Sequence, residues 1–449
     1  MMISRNLFGL RYLRSSLFPV LFATLFIASC GEQKSTIALK GQTSPYLLLF
    51  AGDHDTKDSD FIAVLDVDPK SDAISAPLTS IETGQQNSMP HHMEYVAPPA
   101  GEPIFMNGHR HEASMIVDVA DLPNITIRKS FTPPSPFRFP HDYTRTPGGT
   151  RLVGFLRSDG ASPDADEKTS PGYHGGIAEY NQGGEVIRSV SAAVPGAQKA
   201  VRPYAFALLP EIDRFVVTSA PMMETSWADV IQVYRYSDFE LLHTIELPVG
   251  VLANGEEVPG SQAAGFGPRI LGDGTVFLNS YGCAFYHLSQ IDSDAPSLKL
   301  VHTIATAPTN NPGKIRGACG IPFRVGHYWV QPVGHKNSVV VLDIKDPLNP
   351  REVFHLSTPK DFKPHWLAKD PRANRLILGA ELGGEQGFYV LRIDEKTGAL
   401  DFDDHFQARR KKGLFKSKSM GYISLERDEW PHGKTGHAWG HAALFLNHQ

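Results

Sequence analysis

Cysteine is scarce in this chain of 449 residues, which contains only three. So few cysteines exclude a disulfide-rich scaffold. Cys283 and Cys319 could form one disulfide in an oxidising compartment or remain two buried thiols, and the sequence leaves both possibilities open. The apolar run at residues 17–28 is too short to cross a bilayer as a helix. Its position near the N-terminus instead indicates an export signal.

The N-terminal residues also resemble the signal of a bacterial lipoprotein. The apolar run ends in Ile-Ala-Ser-Cys at Cys30, which resembles a lipobox, and it follows three arginines, Arg5, Arg11 and Arg14. We predict a lipoprotein signal peptide at residues 1–29, lipidation of Cys30 and a linker at residues 30–45. The chain would then be membrane-anchored in the bacterial cell envelope and face the periplasm, with the outer membrane preferred to the inner. An ordinary cleaved signal or a short anchor is the alternative.

Long basic runs are absent and the formal net charge is −5, so nucleic acid is not an expected partner. Helical periodicity is nearly absent too. Short alternating β-branched and aromatic runs, bounded by Gly, Pro, Asn and Asp, instead recur from residue 46 to the end. With 41% hydrophobic residues, 40 glycines and 34 prolines, the chain can bury a large core and make many turns. The sequence therefore predicts an all-β fold.

Two kinds of segment alternate seven times along the chain. One is a strand, a turn and a second strand, as in "FIAVLDVDPKSDAISAPLTSI". The other begins with a proline and a strand, and its prolines are on average about 57 residues apart: Pro90, Pro140, Pro203, Pro268, Pro322, Pro364 and Pro431. Four strands per unit and seven units predict a seven-bladed β-propeller over residues 46–449.

The order of these segments also predicts how the propeller closes. The first hairpin precedes the first proline strand, so the strand at residues 46–52 should share a blade with the C-terminal strand. The circle would then be closed by pairing of the N- and C-terminal strands. Two packed β-sandwiches would use the same strands, but they would not produce a single period.

Histidines concentrate on one predicted face of the propeller. Each proline strand should be the innermost strand of its blade and should start on the face that also carries the loop between the second and third strands. These segments contain 12 of the 19 histidines. Because innermost strands converge on one axis, imidazoles there could bind zinc, copper or iron. The predicted metal ligands are His91, His92, His141, His365 and His432. Alternatively, these histidines bond to loop backbones or line a wet channel.

Other polar residues occupy comparable positions. Tyr204 and Arg269 follow the prolines of two innermost strands and could orient a small polar or anionic substrate, or simply fill the channel. Asp142 could orient an imidazole from behind or move a proton, or it could be a surface carboxylate. We group His109 and His111 with the substrate pocket, although they could bind metal weakly or only solvate their loop.

Several segments resemble the selenium-binding protein and methanethiol oxidase family in order and spacing: "GDHDTKDSDFIAVLDVDPKS", "PHHMEY", "PHDYTRTPGGTRLVGF", "GGIAEYNQGGEV" and the terminal "PH". The resemblance extends from about Leu47 to the end and is strongest in the N-terminal third. It implies a seven-bladed propeller and a copper enzyme that oxidises methanethiol to formaldehyde, sulfide and peroxide. The implied copper ligands are His91, His92, His141 and one terminal histidine, His432, with His441 as the fallback.

One departure from this family limits what can be transferred. The family usually carries a short cysteine-rich stretch after its paired histidines, and "HHMEYVAPPAGEP" contains no cysteine. Selenium or thiol chemistry that depends on those cysteines is therefore not expected. The chain resembles a distant lipoprotein relative of the oxidase.

The predicted function is an oxidoreductase with a histidine-ligated metal in the propeller channel, with copper preferred and iron or zinc as alternatives. Its substrate would be a small molecule, with a thiol as one candidate. A non-catalytic metal- or protein-binding propeller is the main alternative, because propellers host unrelated activities. A lactonase-like hydrolase would need a carboxylate and histidine pair in the channel and ranks last. The sequence identifies neither the substrate nor a protein partner.

Overall fold

The computed structural model describes residues 34–158, 174–195, 199–222, 227–305, 318–381, 387–412 and 415–447. The predicted signal peptide and Cys30 lie outside these ranges. The described chain contains strands β1 to β33 and two short 3-10 turns, Pro210–Ile212 and Gly334–Lys336, with no α-helix in these ranges. Accordingly, none of the described residues forms a helix with the length and apolar character needed to cross a membrane.

Seven antiparallel sheets form the blades, which we number from the N-terminus. Blade 1 contains β1 (Tyr46–Asp53), β2 (Phe61–Asp66), β3 (Pro77–Glu82) and the C-terminal β33 (Ala438–Leu446). Blade 2 contains β4 (Pro90–Met93), β5 (Ile104–Gly108), β6 (Ala113–Asp121) and β7 (Asn124–Phe131). Blade 3 contains β8 (Phe137–Arg145), β9 (Arg151–Ser158), β10 (Gly176–Tyr180) and β11 (Val186–Ser191).

The remaining blades follow the same order. Blade 4 contains β12 (Pro203–Leu209), β13 (Arg214–Ser219), β14 (Val230–Arg235) and β15 (Leu241–Glu246). Blade 5 contains β18 (Arg269–Ile270), β19 (Val276–Asn279), β20 (Ala284–Ser289) and β21 (Ser297–Thr303). Blade 6 contains β22 (Phe323–Val325), β23 (Tyr328–Val333), β24 (Ser338–Asp343) and β25 (Arg351–Ser357).

Blade 7 contains β26 (Pro364–Lys369), β27 (Arg375–Ala380), β28 (Gly387–Ile393) and β29 (Leu400–Phe402), and β32 (Tyr422–Ser424) also pairs with β28. Two small hairpins lie outside the blades: β16 (Gly250–Val251) with β17 (Glu257–Val258), and β30 (Arg409–Lys412) with β31 (Phe415–Lys418). The predicted seven-bladed propeller is confirmed.

Blade 1 closes the circle by pairing the two ends of the described chain. Tyr46 in β1 opposes Leu446 in β33, and Asp53 opposes Ala438. Every residue of β1 is buried, so both faces of this strand are covered and its burial shows no alternation. Outer strands such as β11 alternate between exposed and partly buried residues because only one of their faces is covered. The predicted closure is confirmed.

Six of the seven predicted prolines lie within or directly before an innermost strand. The exception is Pro431, which was expected to begin the terminal strand. It lies in a tight turn in which Trp430 and Gly433 exchange two backbone hydrogen bonds, of 2.8 and 2.9 Å. The innermost strand of blade 1, β33, begins only at Ala438. The prediction for this strand start is therefore wrong by seven residues.

Two further contacts concern segments whose structure the sequence left open. Cys283 and Cys319 form a disulfide with a Cα–Cα distance of 5.2 Å, which links the turn after β19 in blade 5 to the segment before β22 in blade 6. Residues 34–45, the described part of the predicted linker, pack on blade 7. Lys40 N donates to Asn374 Oδ1 at 2.6 Å, and Ser44 Oγ donates to Asp370 Oδ1 at 2.5 Å.

Candidate metal centre

The histidines of the innermost strands lie at β-bulges. In β4 the register shifts between Pro90 and Met93, which releases His91 and His92 from regular pairing with β5. Corresponding shifts lie between Pro140 and Tyr143 in β8, between Pro364 and Trp366 in β26, and across Gly440–Ala443 in β33. A bulge changes the direction of a side chain, and proline, which lacks an N–H, favours such breaks. The bulges thus turn these histidines toward side chains of other blades.

Four imidazoles from blades 1, 2 and 3 form one compact group, here called the histidine cluster: His91, His92, His141 and His441. Nε2 of His91 lies 3.1 Å from Nε2 of His141. The ring of His91 stacks on the rings of His92 and His441, with centroids 4.3 and 4.6 Å away. One ring nitrogen each of His91, His92 and His141 lie within 4.8 Å of one another. All four side chains are at most 2% exposed.

Backbone carbonyls determine which nitrogen faces the cluster in two of these rings. Nδ1 of His141 lies 3.1 Å from the carbonyl oxygen of Tyr204, and Nδ1 of His441 lies 3.2 Å from that of Ala380. A carbonyl only accepts hydrogen bonds, so Nδ1 carries the hydrogen in both rings. Nε2 therefore carries the lone pair that can bind a metal.

Two of the inward nitrogens lack a protein partner. Nε2 of His92 and Nε2 of His441 are buried and make no hydrogen bond to any described residue. Leaving a buried polar group unpaired costs roughly 1–3 kcal/mol. A metal ion among these imidazoles would satisfy both nitrogens, so the residues present fit such an ion.

Burial keeps the cluster uncharged. Burial lowers the pKa of all four rings well below the ordinary value of 6.5, and it is the largest cause of the shift in His91, His92, His141 and His441. Repulsion from neighbouring imidazoles, were they protonated, lowers these pKa values further. All four rings are therefore neutral at pH 7. Their lone pairs are available to a metal ion without prior loss of a proton.

His365 adjoins the cluster through His441, and their ring centroids are 4.9 Å apart. Its Nδ1 has no hydrogen-bond partner among the described residues, and burial lowers its pKa to about 4. Two aromatic rings cover other sides of the cluster. Trp366 lies 5.3 Å from His92, and Tyr204 lies 3.9 Å from His141, both measured between ring centroids. The predicted channel residue Tyr204 thus contacts the cluster with its ring.

His432, the first choice for the terminal ligand, does not join the cluster. Its Nδ1 lies 2.6 Å from Ser80 Oγ and its Nε2 lies 2.7 Å from Thr435 Oγ1. Its ring packs against Phe61 with centroids 4.8 Å apart. Both ring nitrogens are therefore already used in hydrogen bonds to hydroxyl groups. The structure places the fallback residue, His441, in the position that the sequence analysis gave to His432.

The two histidines of the "HRH" loop differ in position. His109 is buried at the edge of the cluster, with its ring centroid 5.3 Å from that of His91. His111 is exposed, and its Nε2 lies 2.8 Å from the carbonyl oxygen of Gln86. Of this pair, only His109 is therefore brought to the cluster.

Asp142 and Arg269 lie behind the cluster. Asp142 is fully buried and accepts hydrogen bonds from Phe206 N at 3.2 Å and Thr144 Oγ1 at 3.1 Å. Burial raises the pKa of Asp142 to about 7, and the charge of Arg269 opposes this rise. Arg269 donates to the carbonyl oxygen of Pro322 at 2.8 Å. The possibility that Asp142 is a surface carboxylate is therefore excluded.

Three residues at this site were missed in the sequence analysis. The Tyr95 hydroxyl lies 3.2 Å from Nδ1 of His92, and Tyr281 donates a hydrogen bond to Glu381. The ring of Tyr281 lies 6.3 Å from His365. Tyr95 belongs to the same "PHHMEY" stretch as the paired histidines, and that proximity was the available signal. Tyr281 and Glu381 lie in loops, where the alternation typical of a strand does not indicate which way a side chain points.

A second group of possible ligands, Asp403, Asp404 and His405, is closed to a metal. Nη2 of Arg392 lies 2.7 Å from Asp403 Oδ1 and 2.8 Å from His405 Nδ1, and it also contacts Asp404. A guanidinium is positively charged and has only donors. It therefore takes the place that a cation would need.

No protein-family model matches the sequence, and no curated protein shows a significant match. The fold, however, is similar to several solved structures. A hypothetical selenium-binding protein from Sulfolobus tokodaii has a TM-score of 0.66 and 15% identity, over 90% of this chain and 94% of that one. A putative 6-phosphogluconolactonase from Bacteroides uniformis has a TM-score of 0.55 and 12% identity, over 85% and 98%. A periplasmic gluconolactonase from Pseudomonas aeruginosa has a TM-score of 0.54 and 14% identity, over 84% and 97%. These similarities establish a distant propeller relationship.

Proposed function

We propose that this chain is a metal-dependent oxidoreductase that binds one transition-metal ion, copper by preference, in the histidine cluster. The observation that carries this proposal is the pair of unpartnered Nε2 atoms, on His92 and His441, beside the close Nε2 pair of His91 and His141, all of them buried. Neutral imidazoles suit copper, iron and zinc. The resemblance to the selenium-binding protein and methanethiol oxidase family favours copper. The fold similarity to a hypothetical selenium-binding protein supports the same propeller scaffold.

When bound, copper supplies one-electron redox chemistry. The chain contributes the ligand nitrogens and fixes their direction, because Tyr204 O and Ala380 O hold the rings of His141 and His441. The rings of Trp366 and Tyr204 help to exclude water from the site.

Access and donor chemistry together favour a small substrate. His365 is 6% exposed, whereas the four cluster histidines are at most 2% exposed, so we propose that small molecules approach on the His365 side. Because these five rings are all buried, we propose that the substrate is small. A thiol is our first candidate because sulfur is a soft donor that suits copper, and oxygen would be the oxidant.

Metal content of the mature chain tests this proposal. The protein would be purified without a histidine tag and analysed by mass spectrometry, as isolated and after reconstitution with copper, iron or zinc. We expect about one copper per chain, lost in a His91→Ala, His92→Ala double variant. The matched control is His327→Ala, His355→Ala, which removes two exposed histidines of blade 6 and should keep the metal. Absence of metal from the wild type after all three reconstitutions would overturn the proposal.

Oxygen uptake with methanethiol and other small thiols then separates the two remaining functions. Uptake that needs copper and is lost in the His91→Ala, His92→Ala variant would establish an oxidase. One bound metal per chain without oxygen consumption for any thiol would favour the non-catalytic metal-binding propeller.

We also propose that Cys30 is lipidated and holds the protein in the cell envelope, facing the periplasm. The support is the sequence Ile-Ala-Ser-Cys after an apolar run and three arginines. Incorporation of a labelled fatty acid into the wild type but not into Cys30→Ala, together with membrane fractionation, tests this. A wild-type protein without label in a membrane-free fraction would overturn it.

A further inference from the structure

A small hairpin, formed by β30 and β31, interrupts the outer edge of blade 7. The strand β29 before it and the strand β32 after it both pair with β28, so together they take the place of the outermost strand of this blade. The hairpin itself forms a separate two-stranded sheet. It is therefore an insertion that the blade does not need for its own sheet.

The hairpin carries a dense positive charge. Residues 409–418 include six lysines or arginines and no acidic residue, although the formal net charge of the chain is −5. Arg409 opposes Lys418, and Lys411 opposes Lys416. Positions two apart in a strand lie on the same face, so these four cationic positions share one face of the hairpin. We call it the basic face: Arg409, Lys411, Lys416 and Lys418.

The opposite face of the hairpin lies against the propeller. Arg410, which belongs to that face, is buried, and its Nη1 donates to Asp361 Oδ1 at 2.9 Å. On the basic face, Arg409 and Lys418 are exposed and form no ion pair with any side chain in the described ranges. Like charges directly opposite each other destabilise a pair of strands. A negatively charged partner outside the protein would remove this repulsion.

The beginning of the described chain packs on the same edge of blade 7. Thr36 N donates to Asp401 Oδ2 at 2.6 Å, and Ser35 N donates to Asp404 Oδ2 at 3.1 Å. Asp401 lies in β29, and Asp404 lies between β29 and the hairpin. Cys30 precedes Ser35 by five residues, which can span at most about 18 Å. A lipid on Cys30 would therefore keep the outer edge of blade 7 near the bilayer.

We propose that the basic face docks on the phosphate groups of an anionic phospholipid bilayer. Basic residues are attracted to such a surface over about 10 Å, the range that salt leaves unscreened. The hairpin is then a second membrane contact beside the lipid, and it holds the outer edge of blade 7 against the membrane. The choice of a bilayer over an acidic protein rests on the proposed lipidation of Cys30.

Vesicle sedimentation of the mature chain with Cys30→Ala tests this docking without the lipid. We expect binding to vesicles that contain phosphatidylglycerol, little binding to vesicles of phosphatidylcholine alone, and release by added salt because salt screens exposed charges. No binding to phosphatidylglycerol at low salt would overturn the inference. Equal binding to both kinds of vesicle would also overturn it, since the attraction would then not depend on the charge of the lipid.

A quadruple variant in the Cys30→Ala chain removes the charge of the basic face: Arg409→Gln, Lys411→Gln, Lys416→Gln and Lys418→Gln. We expect its affinity for phosphatidylglycerol vesicles to fall by at least about 100-fold, because each basic residue near an anionic surface contributes roughly 5-fold. The hairpin lies outside the blades, so urea unfolding of this variant should match that of the parent chain. An unchanged affinity would overturn the inference.

The matched control removes the same number of charges from exposed positions of blades 1, 5 and 6: Lys70→Gln, Lys299→Gln, Lys345→Gln and Arg351→Gln. Both variants have the same net charge, so a difference between their affinities reports on the hairpin. We expect the control to bind within about threefold of the parent chain, because distant exposed charges are screened. Equal losses in both variants would show that the vesicles respond to net charge alone, which would overturn the inference.

Two outcomes separate this inference from the proposed lipidation. Fatty-acid incorporation at Cys30 without vesicle binding by the Cys30→Ala chain would overturn the inference alone and would favour an acidic protein as the partner of the basic face. Vesicle binding by the Cys30→Ala chain without fatty-acid incorporation into the wild type would overturn the lipidation and keep the docking.

Discussion

Nε2 of His91 lies 3.1 Å from Nε2 of His141, although the two residues belong to different blades and are 50 positions apart in the chain. The carbonyl of Tyr204 holds the hydrogen of His141 on Nδ1. Nε2 of His141 must therefore accept, and Nε2 of His91 must donate, in the metal-free protein. Two neutral rings thus share one hydrogen at the centre of the histidine cluster.

This neutrality predicts that metal affinity depends little on pH. Burial lowers the pKa of all four cluster histidines well below 6.5, so protons do not compete for their lone pairs between pH 7.5 and pH 6. We expect the affinity to change less than about threefold over this range. Four imidazoles with ordinary pKa values would lose on the order of 100-fold. Competition with a chelator calibrated at each pH measures the affinity, and a loss of tenfold or more would contradict the prediction.

The two candidate terminal histidines make a paired prediction. His441→Ala removes a ring that stacks on His91 at 4.6 Å, and we expect it to lower metal affinity by at least about 10-fold. His432→Ala removes hydrogen bonds to Ser80 and Thr435 outside the cluster, so we expect metal affinity to stay within about twofold of the wild type. Metal titration of both variants measures the difference. The opposite ranking would show that His432 is the ligand.

The sequence predicted the seven blades because each repeat carries its own strand and turn signals. It predicted His91, His92 and His141 because a proline next to a histidine marks the start of an innermost strand in blades 2 and 3. The same rule failed in blade 1. There the innermost strand is the last of the chain, its start follows a turn at Pro431, and His441 lies at a bulge inside the strand. A proline in a turn and a proline at a strand start look alike in sequence.

Other features of the fold and of the site depend on how neighbouring blades pack against each other. A single sequence does not show this packing. Cys283 and Cys319 pair because the turn after β19 and the segment before β22 lie side by side in neighbouring blades. Tyr95 lies just beyond the short strand β4, and Asp142 lies in β8 of the next blade. The period of the repeats gives the number of blades but not the register of one blade against the next.

The disulfide predicts a measurable contribution to stability. It closes a loop of 36 residues between blades 5 and 6. Restricting the unfolded chain in this way stabilises the folded state by about 2–4 kcal/mol. We therefore expect the Cys283→Ala, Cys319→Ala variant to have a free energy of unfolding that is lower by that amount. Urea unfolding of the variant and the wild type measures the loss, and the wild type in reductant provides a second comparison. Equal unfolding free energies would contradict the predicted contribution of the disulfide.

Burial of His109 predicts that the metal-free protein is less stable at pH 5 than at pH 7. Burial lowers the pKa of His109 to about 4, and the charge of Arg110 contributes to this shift. The unfolded chain takes up a proton below pH 6.5, whereas the folded chain does not until about pH 4, so stability falls as the pH drops through this window. The loss from this one residue at pH 5 is about 2 kcal/mol.

Urea unfolding at both pH values measures this loss. His109→Phe keeps an aromatic ring and cannot be protonated, so we expect the difference between pH 7 and pH 5 to shrink by about 2 kcal/mol. His111→Phe in the same loop is the control, because His111 is exposed and its replacement should leave the pH dependence unchanged. If His109→Phe shows the wild-type pH dependence, His109 is not buried in its neutral form and does not pack at the edge of the cluster.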